Sequence, residues 1–196
     1  DRYFDSFEHY YSLYQRRNLD LWAEYADGKV TKEELNRQRY LYPLEAVGAG
    51  DSTLAKAYER DALTMIPTKS KLMPHAREVL EYLSRKYNLY ILSNGFKELQ
   101  SHKMRSSGID EYFKKVVLSD DIGILKPWPE IFHFALSTTQ SELNNSLMIG
   151  DSWENDIVGA AGVGMHQVFY NLSGRIDLPF APTYQITDLK DLFNFL

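Results

Sequence analysis

The segment Leu147–Asp156 constrains the fold of this chain more than any other part of the sequence. Its short apolar run, residues 146–149, predicts a buried strand. Asp151 follows where the chain leaves the predicted sheet, and Asp156 lies at the start of a predicted Gly/Ala-rich helix, Ile157 to Val163. Alone, the segment is equally compatible with a plain strand–turn–helix connection that carries two solvated acids. A carboxylate at the carboxyl end of a parallel strand, beside outward-pointing helix amides, also suits a hard cation and a phosphate.

Residues 1–66 carry only helical patterns, whereas the chain after residue 67 alternates helix and strand patterns. In the first part, aromatic residues recur at helical spacing and the segment Thr31–Glu34 forms a capping box. Further strand patterns occupy Leu89–Ser93, the run from Phe113 to Leu118, Gly164–Tyr170 and Tyr184–Ile186. Strands that alternate with helices predict a doubly wound parallel sheet with right-handed crossovers. The sequence therefore predicts an α/β core domain, residues 67–196, preceded by an all-helical domain, residues 1–66.

Prolines and terminal patterns set the expected boundaries of several helices. We expect Pro43 to bend or end the second helix, because proline removes a helix hydrogen bond. Met73-Pro74 is expected to begin the first helix of the core, with proline in its first turn. The segment Leu189–Leu196 is expected to form the last helix.

Composition excludes several classes of function. The formal net charge of -5 argues against a nucleic-acid partner or an anionic membrane surface. The chain has no cysteine, which excludes disulfides and thiolate chemistry and fits a cytoplasmic protein. Its five histidines show no metal-ligand spacing, and no run approaches the ~18 apolar residues of a membrane span. We expect a monomer or homodimer that acts on a small molecule.

Polar residues follow three of the predicted strands: the triplet Ser93-Asn94-Gly95, then Lys126, then the acids Asp151 and Asp156. Each has a simple structural explanation as a turn, a solvated lysine or acids that favour a helix dipole. In a parallel sheet, however, all three arrive at the same edge. A hydroxyl, an ammonium and carboxylates together can hold a phosphate and a divalent metal ion.

Three motifs carry a resemblance to a known family. They are Leu92-Ser-Asn-Gly95, the stretch Lys126-Pro-x-Pro-x-Ile-Phe132, and Ile149-Gly-Asp-Ser-x-x-Asn-Asp156. They resemble the second, third and fourth motifs of the haloacid dehalogenase-like (HAD) hydrolase superfamily, in the family's order. That resemblance implies a Rossmann-like HAD core, and the helical residues 1–66 resemble the family's C1 cap. A finer similarity is to the pyrimidine 5'-nucleotidase-like phosphatases.

The resemblance implies a Mg²⁺-dependent phosphomonoester hydrolase that works through an aspartyl-phosphate. The substrate would be a small phosphorylated metabolite, with a nucleoside monophosphate as one candidate. Asp151 would be a metal ligand, and Asp156 would orient Lys126 or a metal-bound water. The phosphate would be bound by Ser93, Asn94, Gly95 and Lys126. Four cap residues are candidates for stacking a base or pairing a charge, although packing or solvent exposure explains them as well: Trp22, Tyr25, Arg37 and Arg39.

One motif of the family is absent from the sequence. The first motif, Asp-x-Asp-x-Thr/Ser, supplies the nucleophile and the acid/base of the family, on a strand between those that end at Ser93 and Ile149. Without that strand, each unpaired buried polar group of the two edges would cost ~1–3 kcal/mol. We therefore expect a strand and nucleophile loop upstream of Asp1. A chain that truly started at Asp1 should be catalytically dead or poorly folded.

Two other functions remain compatible with the sequence. A 2-haloacid dehalogenase on the same fold needs no metal, and the acid at Asp151 favours the phosphatase over it. A non-catalytic binding protein of the same fold would explain the absent first motif, but Lys126 and Asp151 argue against it. Lys126→Ala should leave the fold intact and lower turnover sharply, because it removes a charge aimed at the transferring phosphoryl group.

Overall fold

The computed structural model describes residues 3–196, which form two compact units. The first unit ends at Thr68, and the second spans Lys69–Leu196. In the described part of the chain, every helix is too short or too polar to cross a membrane.

The first unit contains three α-helices and a short 3-10 turn. They are α1 (Phe7–Ala26), α2 (Lys32–Ala46), α3 (Ser52–Met65) and the turn Ile66–Thr68. Side chains cap each helix start, as N-terminal amides without helical partners require. The Thr31 hydroxyl accepts a hydrogen bond from the Glu34 amide at 3.1 Å, which confirms the predicted start of α2.

Helix α2 does not end at Pro43, and a bend there, the other expected effect of this proline, stays a prediction. The helix continues through Pro43 to Ala46. Pro43 and Leu44 are fully buried, and Leu44 packs in a cluster with Tyr40, Leu41 and Ala55. Burial of this face offsets the lost backbone hydrogen bond.

The second unit contains five strands and four α-helices. The strands are β1 (Leu89–Ser93), β2 (Phe113–Leu118), β3 (Leu147–Gly150), β4 (His166–Tyr170) and β5 (Tyr184–Ile186). The helices are α4 (Ala76–Ser84), α5 (Lys97–Ser107), α6 (Pro129–Thr139) and α7 (Gly159–Gly162). Helix α4 begins after Pro74 rather than at it, because His75 at its N-cap has a positive φ of 62°. The predicted last helix begins at Leu189, is of the 3-10 type and ends at Asn194, two residues before the expected end.

Every observed strand pair is parallel, which confirms the predicted α/β fold with helices between the strands. Strand β1 pairs with β2, and β3, β4 and β5 form a second group in that order. Within residues 3–196, no ladder joins β1 to β3. The strand expected between them stays a prediction.

Strands β1 and β3 nevertheless share the same two apolar clusters. Leu89 of β1 and Ile149 of β3 both pack against a cluster that includes Val79 and Val168. Leu92 of β1 and Met148 of β3 pack against a second cluster, which contains Phe132 of α6. The two groups of strands therefore pack against the same apolar residues.

Gly159 permits close packing next to the third motif. A Cβ at this position would lie 2.6 Å from Cε2 of Phe132 and 3.0 Å from Cα of Pro127. We expect Gly159→Ala to lower the free energy of unfolding by about 1–3 kcal/mol, because a packed core must shift to admit the methyl group. Chemical denaturation measures the change.

Gly162→Ala in the same helix is the matched control. Its added Cβ would meet no atom within 4 Å. This control should be neutral or stabilise the fold by about 0.4–1 kcal/mol, since alanine restricts the unfolded chain. Equal effects of the two substitutions would contradict the packing explanation.

Candidate active site

The ammonium group of Lys126 contacts residues at the carboxyl ends of two strands. Its Nζ atom donates to the carbonyl of Leu92 at 2.8 Å and to Oδ1 of Asp156 at 2.6 Å. Leu92 is in β1, and Asp156 follows β3. The structure therefore brings the second, third and fourth motifs to one edge.

The Lys126–Asp156 ion pair is buried. The two side chains are only 9% and 6% exposed. The second carboxylate oxygen of Asp156 accepts from the backbone amide of Ser152 at 3.0 Å. Pairing and hydrogen bonding together make burial of these charges tolerable.

A π-helical turn, Trp153–Val158, places Asp156 beside the end of β3. The sequence predicted an ordinary helix from Ile157, but the α-helical part begins only at Gly159. The carbonyl of Ser152 accepts from the amides of both Asp156 and Ile157. A Cβ at Gly150 would overlap the Asp156 carboxylate, so glycine is what allows the carboxylate to fold back on the strand.

Asn94 holds the backbone of Lys126 with its side chain. Its Oδ1 accepts from the Lys126 amide at 2.7 Å, and its Nδ2 donates to the Lys126 carbonyl at 2.9 Å. The peptide that follows, Lys126–Pro127, is cis. The Asn94 side chain therefore fixes the lysine segment to the end of β1. These contacts use the side-chain oxygen and one of the two Nδ2 hydrogens, and binding of phosphate by an Asn94 amide stays a prediction.

The hydroxyl of Ser93 accepts two hydrogen bonds. Its Oγ atom lies 3.0 Å from the amide nitrogen of Gly95 and 3.0 Å from Nε2 of Gln100. A serine hydroxyl has two acceptor lone pairs and one proton to donate. The hydroxyl hydrogen of Ser93 is therefore free to donate a hydrogen bond to a further group. Gln100, in α5, was not predicted, since its contact depends on the turn at Gly95 and on no pattern in the sequence.

Asp151 differs from the other two acids of its segment. Glu154 pairs with Arg175 at 2.6 Å, and this hydrogen bond lowers the pKa of the Glu154 carboxyl. Asp156 pairs with Lys126. Asp151 is exposed, and its side chain makes no hydrogen bond or ion pair within the described residues.

The described residues could supply only part of a metal site. Residues 3–196 contain no group of three His, Asp or Glu side chains placed to hold a metal ion. Mg²⁺, however, is commonly bound by one or two carboxylates together with waters and substrate phosphates. Asp151 fits one such carboxylate, because it is hard, exposed and unpaired.

The four candidate residues of the helical unit make contacts inside that unit. The Trp22 ring meets the Tyr25 ring edge to face at 5.9 Å. Arg37 pairs with Glu34 at 2.8 Å. Arg39 is buried, and its guanidinium lies 5.1 Å from the centre of the Tyr40 ring. A role of the four in substrate recognition stays a prediction.

Comparison with known proteins places these features in a family. A model of the haloacid dehalogenase-like hydrolases matches residues 1–164. The chain is 29% identical to the putative HAD-hydrolase YfnB of Bacillus subtilis, over 93% of this chain and 78% of that protein. It is 30% identical to the pyrimidine 5'-nucleotidase YjjG of Escherichia coli, over 93% of this chain and 80% of that enzyme.

Solved structures with the same fold superpose on this chain. The crystal structure of YfnB bound to magnesium superposes with a TM-score of 0.87 at 28% identity, covering 95% of this chain and 82% of YfnB. A dehalogenase structure superposes with a TM-score of 0.81 at 25% identity, covering 100% of this chain and 87% of that one. The chain belongs to the haloacid dehalogenase-like hydrolase family.

Proposed function

We propose that this hydrolase is a Mg²⁺-dependent phosphatase that cleaves small phosphomonoesters through an aspartyl-phosphate. Its main support is the convergence of the Leu92 carbonyl and the Asp156 carboxylate on the Lys126 ammonium. That arrangement sets a fixed positive charge at the strand ends where this fold class binds ligands. The similarity to a nucleotidase supports the same class of substrate.

Lys126 neutralises the transferring phosphoryl group in this proposal. An ammonium has three N–H donors, and Leu92 and Asp156 accept two of them. The third is left to donate to a phosphate oxygen. A preorganised cation of this kind stabilises the charge that spreads over the phosphoryl oxygens in the transition state.

Ser93 and Asp156 assist in different ways. The Ser93 hydroxyl, whose oxygen accepts both of its observed hydrogen bonds, would donate a hydrogen bond to a second phosphate oxygen. Asp156 touches Lys126 rather than the substrate and keeps the ammonium pointed at the site. Asn94 fixes the backbone of the same lysine.

Mg²⁺ would be held by Asp151, the unpaired carboxylate after β3, together with waters and the substrate phosphate. When bound, the ion supplies charge neutralisation and orients the phosphate.

The nucleophile of this proposal is an aspartate on a strand between β1 and β3. Each of these two strands pairs with one neighbour within the described residues, β2 and β4 respectively. The carboxylate would attack phosphorus and break the ester P–O bond, while the second acid of the first motif would give its proton to the leaving alcohol. The same group, now a carboxylate, would take a proton from the water that attacks the aspartyl-phosphate, which releases inorganic phosphate and restores the nucleophile.

A second candidate is a 2-haloacid dehalogenase, which the similarity to a dehalogenase structure supports. The two candidates differ in their need for a metal ligand such as Asp151. The full-length protein should release phosphate from p-nitrophenyl phosphate only with Mg²⁺ and should not release chloride from chloroacetate. The reverse pattern would favour the dehalogenase, and inactivity in both assays would favour a binding protein.

The substrate is proposed to be a nucleoside monophosphate, as the similarity to a pyrimidine 5'-nucleotidase supports. A panel of pyrimidine and purine monophosphates, with glucose 6-phosphate as comparison, tests the choice through kcat/KM. Equal values for the sugar phosphate and the nucleotides would contradict it.

Asn94→Asp provides a test of how the lysine is held. The carboxylate still accepts from the Lys126 amide, but it would face the Lys126 carbonyl with an oxygen in place of a donor. We expect turnover of p-nitrophenyl phosphate to fall about 10²-fold, because small displacements of a reacting group cost that much. The free energy of unfolding should fall by about 1–3 kcal/mol.

Asn144→Asp is the matched control, since this exposed asparagine lies in a surface turn. It adds the same charge and should change neither quantity. Full activity of Asn94→Asp would show that the lysine segment does not depend on this side chain.

A further inference from the structure

We propose that Gln100 is a positioning residue that forces the Ser93 hydroxyl to donate toward the substrate phosphate. This role rests on the proposed phosphatase function and adds a residue to its machinery. Gln100 itself contacts Ser93 and need not touch the substrate.

The hydrogen bonds around Ser93 support this role. The Gly95 amide can only donate, so it fills one lone pair of the Ser93 oxygen at 3.0 Å. The side-chain amide of Gln100 fills the second at 3.0 Å. With both lone pairs occupied, the hydroxyl is left with its proton alone. An anionic phosphate oxygen is the partner that such a donor favours.

The Gln100 side chain packs closely against Gly95, in space that a side chain at position 95 would fill. A Cβ at position 95 would lie 2.8 Å from Cδ of Gln100, closer than van der Waals contact. Any larger residue there would push the Gln100 amide away from Ser93. Glycine at this position therefore serves the Gln100 contact as well as the turn.

Without Gln100, the second lone pair of Ser93 becomes open. The hydroxyl oxygen could then accept a hydrogen bond from water or from a hydroxyl of the substrate, and the hydroxyl could rotate away from the phosphate. With glutamate at the same position, the carboxylate can only accept, so the Ser93 hydroxyl would donate its hydrogen bond to residue 100 in place of the phosphate. The two substitutions therefore have different expected effects despite similar size.

The test compares Gln100→Leu and Gln100→Glu in the full-length protein, with p-nitrophenyl phosphate and Mg²⁺. We expect kcat/KM to fall about 10-fold for Gln100→Leu, as for a weakened hydrogen bond to a charged group, and further for Gln100→Glu. Gly95→Ala should resemble Gln100→Leu. Gln15→Leu and Gln15→Glu, at an exposed position of α1, are the controls and should leave kcat/KM unchanged.

A double-mutant cycle separates positioning from a general structural effect. In a Ser93→Ala background, Gln100→Leu should cause no further loss, because its effect passes through the hydroxyl. A loss that persists in that background would overturn the role. So would a Gln100→Glu variant as active as the wild type, since that would make residue 100 an acceptor.

The same measurements distinguish the failure of this role from failure of the proposed function. If the wild type is active and the Gln100 variants have the same kcat/KM, only the positioning role is overturned. A wild type that hydrolyses no phosphomonoester overturns both. If Gln100→Leu fails to fold, as judged by circular dichroism, the nearly isosteric Gln100→Glu decides the result.

Discussion

Lys126→Met should abolish phosphomonoester turnover and also destabilise the protein. The side chain is buried, and its ammonium pairs with Asp156 at 2.6 Å. Methionine keeps the volume but leaves the Asp156 carboxylate buried without its cation. Breaking a buried pair in this way costs about 3–5 kcal/mol. Chemical denaturation measures this loss in the free energy of unfolding.

The loss of activity has a separate physical cause. Removal of Lys126 strips the positive charge that we propose faces the transferring phosphoryl group. Cations that stabilise this transition state contribute about 10³–10⁵ to turnover in other phosphoryl-transfer enzymes. We expect kcat for p-nitrophenyl phosphate to fall at least about 10³-fold. Lys103→Met, on the exposed face of α5, removes the same charge and should alter neither property.

The double variant Lys126→Met/Asp156→Leu separates the two effects. It removes both buried charges, so much of the lost stability should return. Turnover should stay as low as in the single variant. A double variant no more stable than Lys126→Met would argue against an energetic coupling between the two side chains, and retained turnover in either would remove Lys126 from the catalytic site.

The structure changes the earlier expectation for Lys126→Ala. The sequence alone predicts that removal of Lys126 lowers turnover and leaves the fold intact. Its contacts with the Leu92 carbonyl and Asp156 make it part of the core as well. Burial depends on distant segments, and no local pattern around Lys126 indicates it.

Strands and their common edge could be predicted because they follow from local patterns. The bounds of β1 and β5 agree with the predicted apolar runs to the residue. Parallel strands then bring their carboxyl ends together as a matter of geometry. Lys126 and Asp156 meet for that reason, although 30 residues separate them.

Features that depend on tertiary contacts could not be predicted. Asn94 binds the backbone of a residue 32 positions away, a contact that no local sequence pattern indicates. Pro43 remains inside a helix because its face is buried. The π-helical turn that carries Asp156 follows from the close approach to Gly150. In each case, packing overrides the preference of the local sequence.

Asp151→Asn should abolish Mg²⁺-dependent turnover while leaving the fold unchanged. The Asp151 carboxylate is exposed and has no partner within the described residues. Exposed substitutions without such contacts usually alter the free energy of unfolding by less than about 0.5 kcal/mol. An amide is a weaker ligand than a carboxylate for a hard cation. Loss of groups that merely support a metal ligand costs about 10–100-fold, so loss of the proposed ligand should cost at least as much.

Thermal unfolding provides a readout that does not depend on activity. A ligand that binds only the folded state stabilises it by RT ln(1 + [L]/Kd) and therefore raises Tm. Mg²⁺ should therefore raise the Tm of the wild-type protein and leave that of Asp151→Asn unchanged. Glu154→Gln is the matched control: it neutralises an acid three residues away that already pairs with Arg175. The control should keep both the Mg²⁺-induced Tm shift and the Mg²⁺-dependent turnover. If Asp151→Asn also keeps the Mg²⁺-induced Tm shift and the Mg²⁺-dependent turnover, the metal is held elsewhere. The proposed metal position rests on one unpaired carboxylate after β3, and that result would remove its support.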